Sequence, residues 1–221
     1  MALQAAGVSV EWVTGGDAAA EAHALLQESL GAANVEDLDS FMETVGPAHN
    51  DRVRTRMLCA SDDSGMMAVV AGARLMRLNA IMLLYSAVRE DSRRKGVYSA
   101  LRSRVLDGLK GDEERPLDYV VSELETGGVL WRYYREKWDS WIAPCDYRVP
   151  DTQGLVPRDL DLVIAPVTRK PDLGEVAGIV REIYEGVYRL VPADASVEYR
   201  SVVQSIPSDG PGQKKTSLMS P

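Results

Sequence analysis

A run of three strand patterns that passes into a helix pattern constrains the fold of this sequence most. Val53–Ala60 and Met66–Leu78 flank a Ser-Asp-Asp-Ser-Gly turn, which predicts an antiparallel hairpin. Ile81–Val88 is a third strand pattern and is almost continuously apolar. Over Val97–Leu109 the apolar residues instead recur at helical spacing, with Arg102 on the polar side. This order predicts an α/β or mixed α+β sheet with helices on its faces.

Further elements precede and follow this central part. The predicted strands and helices, in chain order, are a strand over Val8–Val13, helices over Ala18–Leu30 and Val35–Val45, a strand over Leu117–Leu124, a helix over Gly127–Trp138 and a strand over Leu160–Val167. We expect this part, residues 1–168, to form one domain.

The segment after residue 168 predicts a helical extension and a tail. Between Val176 and Tyr188 the apolar residues form one helical stripe, which must pack on the body of the protein or on a partner chain. If the stripe packs on a partner chain, that chain could be a second copy, so a homodimer is one expectation. We assign residues 169–204 to this extension, and we expect 205–221 to be a disordered tail because Pro, Gly, Ser and Lys leave little to bury.

Composition and charge exclude several classes of protein. The chain has 221 residues, of which 45% are hydrophobic, so it can build a core without a disulfide or metal. A net charge of -8 disfavours a nucleic-acid partner. Two cysteines and two histidines, Cys59, Cys145, His23 and His49, are too few for a metal site, and we expect both histidines at the surface. With no leader pattern or membrane-length apolar run, we expect a cytoplasmic protein.

A basic loop between the third strand and the helix is the candidate binding site. Gly96 opens the helix, whose unpaired N–H groups and dipole attract an anion. Glycine there lets a bulky anion approach the backbone, so the loop predicts a phosphate site, and we expect a pyrophosphate as its ligand. The alternative is a solvated basic loop that only caps the helix. The basic residues are Arg89, Arg93, Arg94 and Lys95.

The segment Arg93–Tyr98 resembles the Q/R-x-x-G-x-G/A acyl-CoA-binding motif of the GNAT acyltransferase superfamily, with Tyr98 in place of a small residue. The resemblance implies a central twisted, mostly antiparallel sheet and acetyl-CoA or another acyl-CoA as co-substrate. It also implies that the strand before the loop splays from its neighbour and pairs with the pantetheine arm, and that a backbone N–H near Val88 binds the oxyanion. The implied cofactor-binding residues are Ser86, Ala87, Val88, Arg93, Arg94, Lys95, Gly96, Val97 and Tyr98.

A second segment, Tyr133–Trp138, is similar to the Y-E-K-L-G-F segment of many GNAT proteins, with Lys137 in the glycine position. The resemblance implies that Tyr133 protonates the departing thiolate; the alternative is a tyrosine packed under the sheet. Trp138–Trp141 more faintly resembles the W-x-x-W region of aminoglycoside 2'-N-acetyltransferases.

Two carboxylates at the end of a strand are candidates for the general base. Glu123 and Glu125 share one face of the strand pattern, and partial burial would raise the pKa of a glutamate toward neutrality. The alternative is that both are solvated. Cys145 has no histidine beside it and is interpreted as a structural or free thiol. An acidic run either attracts a cationic acceptor or is a solvated helix face; its members are Glu36, Asp37, Asp39 and Glu43.

Taken with the resemblance, these features lead us to expect an acyl-CoA-dependent N-acyltransferase, in the first instance an acetyltransferase, that uses no metal. The acceptor is expected to be the amine of a small molecule that attacks the thioester directly. Two alternatives stay open: an acetyltransferase of aminoglycoside-type antibiotics or biosynthetic intermediates, and a non-catalytic CoA-binding or interaction module.

Overall fold

Seven strands form one mixed sheet in the part of the chain that the computed structural model describes, which is residues 7–46, 51–110, 117–150 and 160–208. The strands are Ser9–Val13 (β1), Val53–Asp62 (β2), Gly65–Leu75 (β3), Ala80–Val88 (β4), Tyr119–Leu124 (β5), Trp141–Ile142 (β6) and Asp161–Pro166 (β7). Their order is β1-β2-β3-β4-β5-β7-β6. Only β4 and β5 pair in parallel. The predicted mixed, mostly antiparallel sheet is confirmed.

Helices cover both faces of this sheet. They are Gly16–Leu30 (α1), Leu38–Val45 (α2), Val97–Lys110 (α3), Val129–Lys137 (α4), Leu173–Glu182 (α5) and Val197–Ser205 (α6). Alternate residues of β3 face opposite sides: Ala68 and Val70 pack in the cluster with α3 and α4, whereas Val69 and Ala71 pack with α1 and α2. β3 is therefore apolar on both faces, because helices cover the sheet on each side.

The strands β4 and β5 separate halfway along their length. They pair only from Ala80 opposite Tyr119 to Leu83 opposite Ser122. Beyond that point β4 stays with β3 and β5 stays with β7. The register of β4 shifts at Leu84, which is an extra residue opposite β3 and forms a β-bulge. The bulge lies four residues before Val88, where the sequence resemblance implied the oxyanion donor.

The C-terminal extension packs on the body of the protein. Val176, Ile179 and Val180 of α5 are fully buried in one cluster with residues of β5 and β7. The expected apolar stripe stays on one side: α5 passes into a π-helical turn over Ile183–Val187, the residues Ile183, Tyr184 and Val187 are buried in the same cluster, and Tyr188 packs against it. The predicted tail lies outside the described residues from position 209 onward. None of the described helices is long and apolar enough to cross a lipid bilayer.

Candidate active site

A cavity of about 430 Å³ occupies the gap between the diverging ends of β4 and β5. Its floor is the bulged part of β4, and α4 closes one side while α1, the loop before α2 and the C-terminal extension close the other. The lining residues that matter below are Leu84, Tyr85, Ser86, Tyr98, Ser122, Glu123, Glu125, Tyr134, Glu36, Val187 and Tyr188. Elements from both faces of the sheet thus contribute to the cavity wall.

The basic loop lies next to this cavity, at the start of α3. Arg94 and Gly96 have positive φ angles of 64° and 77°, whereas Lys95 between them does not. Such alternation turns successive N–H groups toward one side and forms an anion-binding concavity. A Cβ at Gly96 would have no heavy atom within 4 Å, so the space in front of the loop is open. The side chains of Arg93, Arg94 and Lys95 are exposed.

Arg89 has a structural role instead. Its guanidinium donates to Asp91 over 2.8 Å and to Asp62 over 2.9 Å. These hydrogen bonds raise the pKa of Arg89 above its ordinary value and lower the pKa of both carboxyl groups. Arg89 therefore fastens the loop to the β2–β3 hairpin.

The predicted cofactor-binding residues of β4 face different sides. Ser86 lines the cavity, Ala87 is buried toward α1, and Val88 packs toward α3. Of the two predicted residues that open α3, Val97 is buried in the core and Tyr98 lines the cavity. The side chains of Ala87, Val88 and Val97 pack into the core, so these three residues could contact a ligand only through their main-chain atoms.

The two adjacent tyrosines of α4 occupy different environments. Tyr134 is buried in the cavity wall, where its hydroxyl accepts hydrogen bonds from Arg102 Nε at 3.2 Å and Ser122 Oγ at 3.3 Å. The hydroxyl of Tyr133 lies 3.5 Å from Ser99 Oγ in the first turn of α3, beside the basic loop. That hydrogen bond lowers the pKa of Tyr133, whereas burial raises the pKa of Tyr98.

Arg102 was predicted on the polar side of its helix, and this was wrong. It is only 2% exposed, and its guanidinium stacks on Trp138 at 3.5 Å from the ring centroid. The aromatic ring and Tyr134 hold the cation inside the structure. Helical spacing within α3 carries no signal for this contact, because Trp138 and Tyr134 come from α4.

Glu123 and Glu125, the predicted bases, both line the cavity but differ in their contacts. The Glu123 carboxylate accepts hydrogen bonds from the hydroxyls of Tyr147 and Tyr188. Burial, and then the Glu123 charge, raise the pKa of both tyrosines well above the ordinary value. Glu125 lies at the exposed rim.

Solved structures with the same arrangement of elements are acetyltransferases. The ribosomal-protein-S18-alanine N-acetyltransferase of Escherichia coli matches with a TM-score of 0.50 at 16% sequence identity. The match covers 74% of this chain and 97% of the Escherichia coli chain. The diaminobutyrate acetyltransferase of Paenibacillus lautus, solved with its substrate and coenzyme A, matches with a TM-score of 0.51 at 15% sequence identity. The match covers 75% of this chain and 100% of the Paenibacillus lautus chain. This chain has the GNAT fold. No family model matches the sequence, and no curated protein sequence does.

Within this GNAT fold the four residues of the acidic run differ in their contacts and exposure. Asp37 caps α2 through Ser40 N at 3.1 Å, Asp39 is exposed, and Glu43 pairs with Arg189 at 2.7 Å. Glu36 alone lines the cavity and is only 2% exposed. The solvated-face interpretation therefore holds for the exposed members of the run and is wrong for Glu36.

The remaining candidate groups are structural. His23 was expected at the surface, but it is buried, and its Nε2 lies 2.8 Å from the backbone oxygen of Glu36. His49 lies outside the described residues. Burial raises the pKa of Cys145 to about 12, which makes this thiol a poor nucleophile near neutral pH. The described residues contain no cluster of three or more potential metal ligands.

Proposed function

We propose that this protein is an acyl-CoA-dependent N-acyltransferase that transfers an acyl group, with acetyl as the first candidate, directly to an amine of a small molecule. The observation that carries the proposal is the continuity of three features. The end of β4 that no longer pairs with β5 borders the cavity, leads into the positive-φ loop at Gly96 and so reaches the start of α3. An extended strand edge followed by an anion concavity suits a long ligand with a diphosphate at one end.

The loop would hold the diphosphate against an unfavourable overall charge. A protein with a net charge of -8 repels a polyanion at long range, but salt screens that repulsion beyond about 8–10 Å. The backbone N–H groups at Gly96 and the exposed cations Arg93, Arg94 and Lys95 act at contact distance. When bound, acyl-CoA supplies the activated acyl group.

Glu125 is the stronger candidate for the base that removes a proton from the attacking ammonium. Tyrosine hydroxyls occupy both carboxylate oxygens of Glu123, so this side chain is less free to approach the attacking nitrogen. Glu125, at the exposed rim, can pass a proton to solvent. Glu123 would then orient the amine. We assign the acid to Tyr133, because its hydroxyl lies within hydrogen-bond distance of Ser99 Oγ and its pKa is lowered, so that it gives up its proton more readily.

Calorimetric titration with CoA and acetyl-CoA tests this proposal. Gly96→Glu should abolish binding, because it places a negative charge in the anion concavity. Gly16→Glu is the matched control: Gly16 also has a positive φ, of 70°, and no heavy atom within 4 Å of an added Cβ. It introduces the same strain and charge at the start of α1.

Saturable binding by the wild type and by Gly16→Glu, but not by Gly96→Glu, would support the site. Equal affinity in all three proteins would mean that the loop only caps α3. Binding without transfer to any amine would instead favour a CoA-binding module.

A further inference from the structure

Glu36 carries a buried carboxylate oxygen whose hydrogen-bonding capacity is unused. Its Oε2 accepts a hydrogen bond from the Tyr85 hydroxyl. Its Oε1 is buried and has no hydrogen-bond partner among the residues that the structure describes. A buried carboxylate oxygen without a donor is unfavourable, so a ligand that donates a hydrogen bond to it would be stabilised.

The position of this carboxylate is fixed before any ligand binds. The backbone oxygen of Glu36 contacts the buried ring of His23 at 2.8 Å, and Phe41 packs against both the His23 and Tyr85 rings. Tyr85 follows the bulge residue Leu84 in the cavity floor. Glu36 is therefore held against the part of β4 where an acceptor would meet an acyl group.

The charge of the cavity selects for cations. Its described lining contains three carboxylates, Glu36, Glu123 and Glu125, and no Lys, Arg or His. An amine must be neutral when it attacks a thioester, so the attacking nitrogen cannot keep the charge that Glu36 complements. A second cationic group on the same molecule can keep its charge and pair with Glu36.

We propose that Glu36 binds a second ammonium group of the acceptor, so that the substrate class is a diamine or polyamine rather than a monoamine. This inference rests on the proposed function and names its acceptor. A cavity of about 430 Å³ is at the small end of ligand cavities, which favours a compact aliphatic diamine. Aminoglycosides share the polycationic chemistry, and the experiment separates these two sources.

The test combines binding and kinetics with four acceptors: 1,4-diaminobutane, spermidine, n-butylamine and a 2-deoxystreptamine aminoglycoside. Each is titrated calorimetrically into the full chain, without CoA and at saturating CoA, and then assayed with acetyl-CoA. Glu36→Gln removes the charge while its amide oxygen can still accept from Tyr85, so the fold should be kept. Asp39→Asn is the matched control, because it removes one exposed charge from the same segment.

We expect 1,4-diaminobutane or spermidine to bind more tightly than n-butylamine. Glu36→Gln should weaken diamine binding and raise its KM about tenfold to a hundredfold, the range for a hydrogen bond to a charged group. Its effect on n-butylamine should be small, and Asp39→Asn should behave as wild type. The same dependence on Glu36 with the aminoglycoside alone would support the cation site and assign the larger polycation as its ligand.

Equal affinities for n-butylamine and the diamine, or an unchanged diamine affinity in Glu36→Gln, would overturn the inference. So would the absence of binding by any cation. Failure of the proposed function is separate: it would be seen as absent CoA binding, and the diamine titration without CoA would still test Glu36. Thermal unfolding of each variant verifies that it is folded.

Discussion

Tyr188 donates a hydrogen bond of 2.7 Å to Oε2 of Glu123, although 65 positions separate the two residues in the sequence. Tyr188 follows the π-helical turn that ends α5. Glu123 lies near the end of β5, directly after the last residue that pairs with β4. Tyr147 occupies the other carboxylate oxygen. The C-terminal extension therefore builds one wall of the cavity and fixes the orientation of a candidate catalytic carboxylate.

Replacing Tyr188 with Phe should reduce both stability and acceptor affinity. The change leaves Glu123 with one fewer donor, and we expect the free energy of unfolding in urea to fall by about 1–2 kcal/mol. Tyr184→Phe is the matched control, because Tyr184 donates to the Arg148 backbone oxygen in the same core. Both variants should be less stable, but only Tyr188→Phe should raise the acceptor KM. Identical KM values in the two variants would show that the Glu123 contact does not shape the site.

Local patterns were sufficient to predict the central strands of the sheet and the helix α3 that follows β4. The hairpin turn after Val53–Ala60 and the two-faced burial of β3 both follow from residues close in sequence. The phosphate loop is also local, because Gly96 lies directly between β4 and α3. Strand-end details differ: β3 ends at Leu75, whereas its apolar pattern continues to Leu78.

The walls of the site could not be predicted, because they depend on contacts between distant segments. A helical stripe indicates that Tyr188 is on an apolar face, but nothing in its neighbourhood identifies Glu123 as its partner. Glu36 stands in an acidic run, and its burial depends on Tyr85, which is 49 positions away. The burial of Arg102 likewise depends on Trp138 of another helix.

Arg52 should be essential for the stability of the extension. It forms ion pairs with Glu182 at 3.1 Å and with Glu185 at 2.6 Å, and both glutamates are buried. Arg52→Gln leaves Glu182 without this cation and leaves Glu185 only the more exposed Arg181 at 3.7 Å, so we expect a loss of about 3 kcal/mol in the free energy of unfolding at neutral pH. Lys110→Gln, which removes an exposed ion pair with Asp107, should change it by less than about 1 kcal/mol.

The Arg52→Gln deficit should also depend on pH. Burial raises the pKa of Glu182 above its ordinary value of 4.5. A carboxyl group with a raised pKa in the folded state binds protons more tightly there, so the folded state loses stability as pH rises through that pKa. Removing the cation strengthens this effect, and the deficit should be larger at pH 8 than at pH 5. Equal deficits at the two pH values would contradict the role of buried charge.

Glu175 should stabilise the start of α5 in the opposite pH direction. Hydrogen bonds from Arg169 lower the pKa of Glu175 to about 2, from an ordinary value of 4.5. This contribution is present above the unfolded value and is lost as pH falls from about 4.5 toward 2. Arg169 is half-exposed, so we expect less than about 1 kcal/mol. Glu175→Gln keeps an acceptor for the capping box with Asp172 and isolates the charge. Its difference from wild type in urea unfolding should shrink between pH 6 and pH 3, and a constant difference would assign the effect to capping alone.

The pair Tyr133 and Tyr134 should separate chemistry from structure. Tyr133→Phe should lower kcat about a hundredfold with unchanged CoA affinity, the range for loss of a general acid. Tyr134→Phe should instead lower the free energy of unfolding by about 1–3 kcal/mol, because Arg102 and Ser122 lose a buried acceptor.

The pH profile distinguishes these roles further. Tyr133 must be protonated to act as an acid, and its pKa is lowered, so the wild-type rate should fall as pH rises toward that pKa. This alkaline limb should be absent in Tyr133→Phe and retained in Tyr134→Phe. An alkaline limb that persists in Tyr133→Phe but is lost in Tyr134→Phe would transfer the acid role to the buried tyrosine, which lines the cavity.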